Sequence, residues 1–286
     1  LVSDSPESAG SAFWFRGPAA VGAGLRAALD RVGRGFVYVG GITRLLGTVI
    51  QRTWYAVRGR GTRIHASSLT AQMVRVGVRA IPLTILVQIF IGIILALNMA
   101  PTLQAYGQIQ RTADIIAIAI FRELGPLITA VLLSGFAGAS IAAELGAMVE
   151  GEEIKALRAH ALDPIRFLVI PRIVATAVMM LGLTVLADVM GIIGGLLVSV
   201  TTLNLTVAGY LTSTQLALTL HDYFTGLFKG GVFGGIIAMI ACYEGLNTSG
   251  GAEGVGRATT TTVVKSIVSL IGADALFTAI FYAVGW

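Results

Sequence analysis

The chain has 286 residues, of which 55% are hydrophobic and only 12% are charged, and its mean hydropathy is +0.83. An average soluble domain carries roughly 25% charged residues, and a soluble fold of this size needs a polar surface. The composition therefore excludes a soluble protein and indicates a membrane protein. The single cysteine, Cys242, excludes an intramolecular disulfide. The three histidines are scattered and show no metal-ligand spacing, so we expect neither a metal nor a cofactor.

The N-terminal region differs from the rest of the chain. Ser, Gly and Pro dominate its start, so we expect residues 1–35 to form a disordered tail. Residues 36–80 are expected to form an interfacial helical region. Within it, Phe36 to Val57 mixes apolar residues with Arg44 and Arg52 at spacings near three and four, which predicts an amphipathic helix on the membrane surface. An ordinary cytosolic helix is the alternative.

Five apolar segments follow, each long enough to cross a bilayer, which takes about twenty residues. They are Ile81–Ala100, Ile115–Met148, Phe167–Val200, His221–Tyr243 and Val263–Gly285. The second contains a charged interruption, Arg122-Glu123-Leu124-Gly125-Pro126, which makes it the segment on which the count depends. The sequence therefore predicts an all-α polytopic membrane protein with five transmembrane helices.

Basic residues are distributed unequally between the two sides that five spans would create. The N-terminal region, the 149–172 loop and the 244–265 loop hold 17 of the 20 Lys and Arg residues. Because basic residues concentrate in cytoplasmic loops, we expect the N-terminus in the cytoplasm and the C-terminus outside. The net charge of +5 is then a topological signal and does not indicate nucleic-acid binding.

Four ionisable residues fall within the outer parts of three predicted spans: Arg122, Glu123, Lys229 and Asp274. At about 1.5 Å per residue they lie at depths of roughly 10 to 18 Å. Charges inside a membrane usually pair or line a wet cavity. They predict either a polar patch in a substrate cavity or an ion-pair cluster that fixes helix packing. Asp188 and Glu144 lie nearer the predicted membrane faces, and we interpret them as structural.

Glycines recur at every fourth residue in the fourth predicted span, at Gly226, Gly230 and Gly234, and Gly135 continues this pattern in the second. Small residues at this spacing let helix backbones approach closely. The glycines predict either helix packing within one chain or the seam of a homodimer.

The short loop between the second and third spans is charged and has one apolar helical face, formed by Ile154, Leu157 and Ala161. It could dock onto a partner protein or be a solvated connection. Its candidate contact residues are Glu150, Glu152, Glu153, Lys155, Arg158 and Asp163.

The segment Gly251-Ala-Glu-Gly-Val-Gly256 superficially resembles a phosphate-binding loop. It lacks the Lys followed by Ser or Thr that such loops require, and no apolar strand leads into it. We therefore do not expect this chain to bind ATP.

Several motifs together resemble the MlaE/YrbE family of permeases. They are Arg-Glu-Leu-Gly-Pro (122–126), Ala-Ala-Glu-Leu-Gly (142–146), Asp-Pro-Ile-Arg-Phe-Leu-Val-Ile-Pro-Arg (163–172) and Gly-Val-Gly-Arg-Ala-Thr-Thr-Thr-Thr-Val-Val (254–264). The resemblance covers roughly residues 65 to 285, and the order of the motifs is highly specific. It implies that residues 81–286 form an MlaE-like permease domain.

Members of this family are membrane subunits of ABC transporters that move phospholipids or other hydrophobic molecules. They work as homodimers or paired relatives, a separate cytoplasmic ATPase drives them, and an MCE-domain protein extends from their outer face. The resemblance implies that the 150–163 loop is the coupling helix and that Arg122, Glu123, Lys229 and Asp274 lie near the lipid cavity. Where members usually have Gly-Arg, this chain has Gly135-Phe136.

The leading hypothesis is therefore a homodimeric permease with a lipid cavity and no ATPase activity of its own. An ion-coupled secondary transporter that uses the buried carboxylates and a non-transporting membrane scaffold are the alternatives. The Arg-rich start of the chain fits a bacterial inner membrane or, as the alternative, a plastid inner envelope.

Overall fold

The computed structural model describes residues 16–57 and 66–284. The chain divides into two compact units, Leu1–Gly47 and Thr48–Trp286. The described residues contain helices and turns and no strand, which confirms the all-α class.

Eleven α-helices follow one another in the described residues, some joined directly by a 3₁₀ or π turn. They are α1 (Arg16–Val57), α2 (Ala66–Val76), α3 (Ile81–Ala105), α4 (Thr112–Ala119), α5 (Gly125–Leu133), α6 (Ala139–Glu150), α7 (Glu153–Ala159), α8 (Ile170–Thr201), α9 (Val207–Ala217), α10 (Leu220–Leu246) and α11 (Gly251–Val284).

Five helical segments in the described residues are long and apolar enough to span a membrane, which confirms the predicted number. They are Ser68–Ala105, Ile109–Glu150, Ile165–Thr201, Leu220–Leu246 and Gly251–Val284. The charged interruption in the second span does not divide it, because a π turn at Ile120–Leu124 carries the helix through it. A second π turn, Ser134–Gly138, joins α5 to α6.

The third span, α8, packs between α3 and α10, and α10 packs in turn against α6 and α11. Glycines bring these helices together. A Cβ atom at Gly92 of α3 would overlap the carbonyl oxygen of Gly191 on α8, and one at Gly194 would overlap the carbonyl of Ile89. Helix backbones can approach this closely only where side chains are absent.

The fifth span, α11, begins twelve residues earlier than the expected start at Val263, so the predicted 244–265 loop is wrong. The connection is only residues 247–250, and Gly251–Gly256 forms the first turns of α11. Gly250 and Gly251 both have positive φ, at 99° and 67°, and so reverse the chain direction within a few residues. The connection between the third and fourth spans also contains a helix, α9.

The N-terminal helix α1 includes the segment Phe36–Val57, where an amphipathic helix was predicted. It also includes residues 16–35, which were expected to be disordered; this stretch contains several Ala and Arg residues, which favour helices. Residues 1–15 lie outside the described range. Phe36 and Val37 are 76% and 75% exposed, so this helix presents apolar side chains on its surface.

Candidate functional site

Three spans meet at the buried side chain of Lys229 on α10. Its Nζ lies 2.6 Å from Glu123 Oε2 on the second span and 2.9 Å from Asp274 Oδ1 on α11. It also donates a hydrogen bond of 2.9 Å to Thr278 Oγ1, and this hydroxyl donates one of 3.0 Å to Glu123 Oε1. Asp274 and Thr278 are four residues apart, so they share one face of α11. We call Glu123, Lys229, Asp274 and Thr278 the Lys229 cluster.

The cluster combines a buried interior with an open edge. The side chain of Lys229 is 1% exposed, whereas that of Glu123 is 35% exposed. With one ammonium facing two carboxylates, the cluster has an excess of acceptor oxygens towards its open edge. Such a group of charges can persist in a membrane only when its members pair with each other or with water.

An aromatic wall lies beside the cluster, between α10 and α11. The ring centroids of Phe228 and Phe277 are 5.5 Å apart in an edge-on arrangement, and those of Phe277 and Phe281 are 6.3 Å apart and stacked. Phe228 directly precedes Lys229 in the chain. These rings therefore lie on the same two helices that carry Lys229, Asp274 and Thr278.

Arg122 does not join the Lys229 cluster, although its depth in the second span predicts a position close to Glu123, Lys229 and Asp274. Its Nε lies 3.3 Å from Oδ1 of Asp222, near the start of α10. The other carboxylate oxygen of Asp222 accepts hydrogen bonds from the Thr219 backbone N–H (2.9 Å) and hydroxyl (2.7 Å). The Asp222 N–H in turn donates to Thr219 Oγ1 at 3.3 Å, and this bond together with the Thr219 N–H bond forms the capping box of α10. Arg122 therefore ties the second span to the cap of the fourth.

Pro126 explains why the chain forms a π turn at this site. Proline has no N–H, so the preceding turn cannot complete its normal hydrogen bonds. The Gly125 N–H donates to the carbonyl of Ile120, five residues back. The carbonyl of Phe121 thus loses both possible helical donors, and Gly226 of α10 packs against it so closely that a Cβ would overlap the oxygen. The extra residue in the turn presents Arg122 and Glu123 to α10.

Asp188 of α8 lies behind the same turn and is 2% exposed. A Cβ at Gly125 would overlap its Oδ1, so a side chain there would displace the carboxylate. No described residue forms an ion pair or hydrogen bond with this oxygen. On the other side of the turn, buried Gln88 donates to Thr129 Oγ1 at 3.2 Å.

A second network of charges lies near the opposite ends of the spans, on the side where α7 is found. Glu144 of α6 accepts from Arg75 Nη1 of α2 at 2.9 Å and from Arg172 Nη2 of α8 at 3.1 Å. Arg172 is almost completely buried and also donates to the Leu168 carbonyl at 2.9 Å. We call Arg75, Glu144 and Arg172 the Glu144 network; it joins three helices, as a structural role for Glu144 predicts.

The charged connection between the second and third spans forms the short helix α7. Ile154 is buried, while Glu150, Glu153 and Arg158 are exposed. Glu152 and Lys155 form an exposed ion pair at 2.6 Å, and this hydrogen bond lowers the pKa of Glu152. Its carboxylate therefore stays ionised to lower pH than an ordinary glutamate.

Asp163 has a different position from the other charged residues of this connection. It pairs with Arg52 of α1 and accepts a hydrogen bond of 3.2 Å from the Ile165 N–H at the start of the third span. Its carboxylate therefore has partners within the chain and caps the helix.

The glycine stripe of α10 packs inside the chain. A Cβ at Gly230 would come within 2.5 Å of Thr184 Oγ1, and one at Gly234 within 2.8 Å of the Thr176 carbonyl oxygen, both on α8. Gly226 contacts the second span, as described above. Gly135 differs, because no atom lies within 4 Å of its Cβ position.

Sequence reasoning missed several partners that complete the site. Thr278 and Asp222 lie outside every motif named above. The sequence shows the π turn only as a charged interruption of an apolar segment. The position of Thr278 four residues after Asp274 was the available signal, because it places the hydroxyl on the same helical face.

Comparison with known proteins gives a consistent result. Residues 69–280 match the family model described as Permease MlaE. A probable ABC transporter permease protein of Rickettsia felis is 37% identical over 221 residues, covering 77% of this chain and 85% of the relative. A probable ABC transporter permease protein of Synechocystis is 37% identical, covering 73% and 79%.

A plant relative is more distant. Protein TRIGALACTOSYLDIACYLGLYCEROL 1, chloroplastic, of Arabidopsis thaliana is 31% identical over 220 residues, covering 77% of this chain and 63% of the relative. The family match covers well over half of the chain and includes all four residues of the Lys229 cluster. This chain therefore belongs to the MlaE family of permeases.

Proposed function

We propose that this chain is the permease subunit of an ABC transporter that moves phospholipid or another hydrophobic molecule between membranes. The match to the MlaE family over residues 69–280 carries the proposal. The relatives from Rickettsia and Synechocystis are named as probable ABC transporter permeases. Such a subunit needs a membrane-spanning body, and the chain supplies five candidate spans.

The Lys229 cluster forms the polar part of the substrate cavity in this proposal. Its open edge, at Glu123 and Thr278, can exchange hydrogen bonds with a lipid headgroup, while Phe228 and Phe277 contact the apolar chains. The supporting observation is that Lys229 is 1% exposed yet connects to a partly exposed carboxylate. Arg122 contributes at the margin of the cavity by holding the cap of α10.

Two copies of the chain form the transporter, and Gly135 lies in their seam. It is the one glycine of the proposed set whose Cβ position is open, which leaves room for a second helix. Gly226, Gly230 and Gly234 act instead in packing within each copy.

A cytoplasmic ATPase binds α7 and the residues around it, and an MCE-domain protein extends from the opposite face. Glu150, Glu152, Glu153, Lys155 and Arg158 supply the contact to the ATPase, because α7 buries Ile154 and exposes its charges. Asp163 supports this connection through Arg52. The N-terminal helix lies on the cytoplasmic surface of a bacterial inner membrane, or of a plastid inner envelope in the alternative.

Reversing two charges of α7 tests this assignment. The double substitution Glu152→Lys and Glu153→Lys should abolish ATP-dependent lipid transport by the reconstituted complex, because it replaces acidic contacts by repulsive ones. The measurement is lipid transfer between vesicles together with the ATPase rate. Since both side chains are exposed, the melting temperature of the permease should not change.

Glu253→Lys is the matched control, since this exposed glutamate lies on α11, outside the α7 connection. Normal assembly and lipid-stimulated hydrolysis in the double variant would contradict the docking role. Lipid transfer driven by an ion gradient in the absence of ATP would contradict the ABC assignment itself.

A further inference from the structure

A separate cavity of about 170 Å³ lies on the α7 side of the spans, between α2 and the second span. Gln72, Arg75 and Arg79 form one wall, and Phe136 and Glu144 belong to the other. Arg79 lies in the short 3₁₀ turn Val78–Ala80, directly before α3 begins. The α2 side of the cavity therefore lies at the start of the first span, Ser68–Ala105, and the cavity shares no residue with the Lys229 cluster.

The charges around this cavity favour an anion. Both carboxylate oxygens of Glu144 already have arginine partners, one of them Arg172, which approaches from outside the cavity. Arg79 is exposed and forms no ion pair or hydrogen bond with any described residue. The guanidinium groups of Arg75 and Arg79 thus outnumber the one acid in the lining. Arginine is the residue best suited to hold a phosphate, since it donates two parallel hydrogen bonds.

The remaining walls suit the other parts of an amphiphile. Gln72 Oε1 is buried without a hydrogen-bond partner in the described residues, so it can accept from a hydroxyl or ammonium group. Phe136 is 40% exposed, and Val76 and Ile141 also line the cavity. Sites for whole drug-sized ligands measure roughly 300–1,000 Å³. This cavity is smaller and matches a headgroup whose chains remain outside.

We propose that this cavity binds the phosphate headgroup of a membrane phospholipid on the cytoplasmic side. Arg79 holds the phosphate, Arg75 assists it, Gln72 accepts a hydrogen bond from the headgroup and Phe136 contacts the first part of a chain. The cytoplasmic position rests on the proposed orientation of the permease. The binding itself does not depend on transport, so the two proposals can fail separately.

Photolabelling of the full chain in vesicles tests this site. The probes are phosphatidylglycerol and diacylglycerol that carry the same photoreactive acyl chain, and the labelled peptides are identified by mass spectrometry. Phosphatidylglycerol should label the segments 72–80 and 136–144, and diacylglycerol should not. The substitution Arg79→Gln should reduce this labelling about fivefold, as expected for one partly exposed charge-assisted contact worth about 1 kcal/mol.

Arg111→Gln is the matched control, because Arg111 is also exposed and unpaired in the described residues but precedes α4, at the other end of the spans. It should leave the labelling unchanged. Equal labelling by diacylglycerol, or no effect of Arg79→Gln in a variant of unchanged melting temperature, would overturn the proposal. Excess inorganic phosphate distinguishes the sources of the phosphate group: unchanged lipid labelling supports the lipid, and complete displacement would assign the site to free phosphate instead.

Discussion

The Lys229 cluster and the Glu144 network both hold helices together by ion pairs, but their central charges are opposite. Each joins three helices through three ionisable side chains, but one surrounds a lysine with two acids and the other surrounds a glutamate with two arginines. The central lysine is 1% exposed, and the central glutamate is 28% exposed. Ion pairs hold helices in both places, but only the Lys229 cluster places a fully buried charge at its centre.

This difference has an energetic consequence. Neutralising Lys229 leaves two carboxylates that repel each other with no cation between them. Neutralising Glu144 leaves Arg75, which can turn towards water, and Arg172, which keeps its hydrogen bond to the Leu168 carbonyl. Neutralising the central residue should therefore lower the free energy of unfolding by different amounts at the two sites. The difference distinguishes the Lys229 cluster, proposed to line the cavity, from the structural Glu144 network.

The largest effect is expected for Lys229→Met. Two carboxylates then face each other without a cation, and loss of one partner of a buried pair costs about 3–5 kcal/mol. We expect a markedly lower melting temperature of the purified protein and no ATP-dependent lipid transport by the complex. Thermal unfolding in detergent and vesicle-based transfer measure the two effects.

The triple substitution Lys229→Met, Glu123→Gln and Asp274→Asn is the control for this experiment. It removes the unpaired charges and should restore most of the melting temperature but not transport. Transport at the normal rate in the triple variant would leave the Lys229 cluster with a packing role only.

A smaller effect is expected for Glu144→Gln, about 2 kcal/mol, because Arg75 can turn to solvent while Arg172 remains buried and unpaired. Thermal unfolding checks this value. Glu150→Gln is the matched control, since Glu150 is exposed and forms no ion pair with a described residue. It should change the free energy of unfolding by less than about 0.5 kcal/mol. A loss for Glu144→Gln as large as that for Lys229→Met would remove the distinction between the two sites.

An effect on stability of similar size is expected for Gly226→Ala. The added methyl group pushes α10 away from the π turn that carries Glu123, and overpacking of this kind costs about 1–3 kcal/mol. Transport should fall because the Lys229 cluster loosens, while the Glu144 network is unaffected. Thermal unfolding and vesicle transfer measure both effects.

Gly135→Ala provides the contrast, because its Cβ position is open within the chain. It should leave the melting temperature of the monomer unchanged and weaken the dimer, as measured by mass photometry. A destabilised Gly135→Ala monomer would contradict the assignment of this glycine to the seam.

The sequence was sufficient for the membrane class, the all-α fold and the number of spans, because each depends on local composition. An apolar run of adequate length has few alternatives in a bilayer, and even the interruption at Arg122–Pro126 did not change the count. The same local reasoning misjudged the start of α11, because the three glycines within Gly251–Gly256 have weak helix propensity and are helical here in their tertiary context.

The tertiary contacts determine which charged side chains form ion pairs. Arg122 and Glu123 are neighbours in the chain, yet the π turn directs one to Asp222 and the other to Lys229. Depth along a helix can be counted from the sequence, but the direction of a side chain depends on helix rotation and on which neighbour approaches closely. Helix rotation and the approach of neighbouring helices depend on contacts between residues distant in the chain, such as Gly226 against the carbonyl of Phe121 and Asp188 against Gly125.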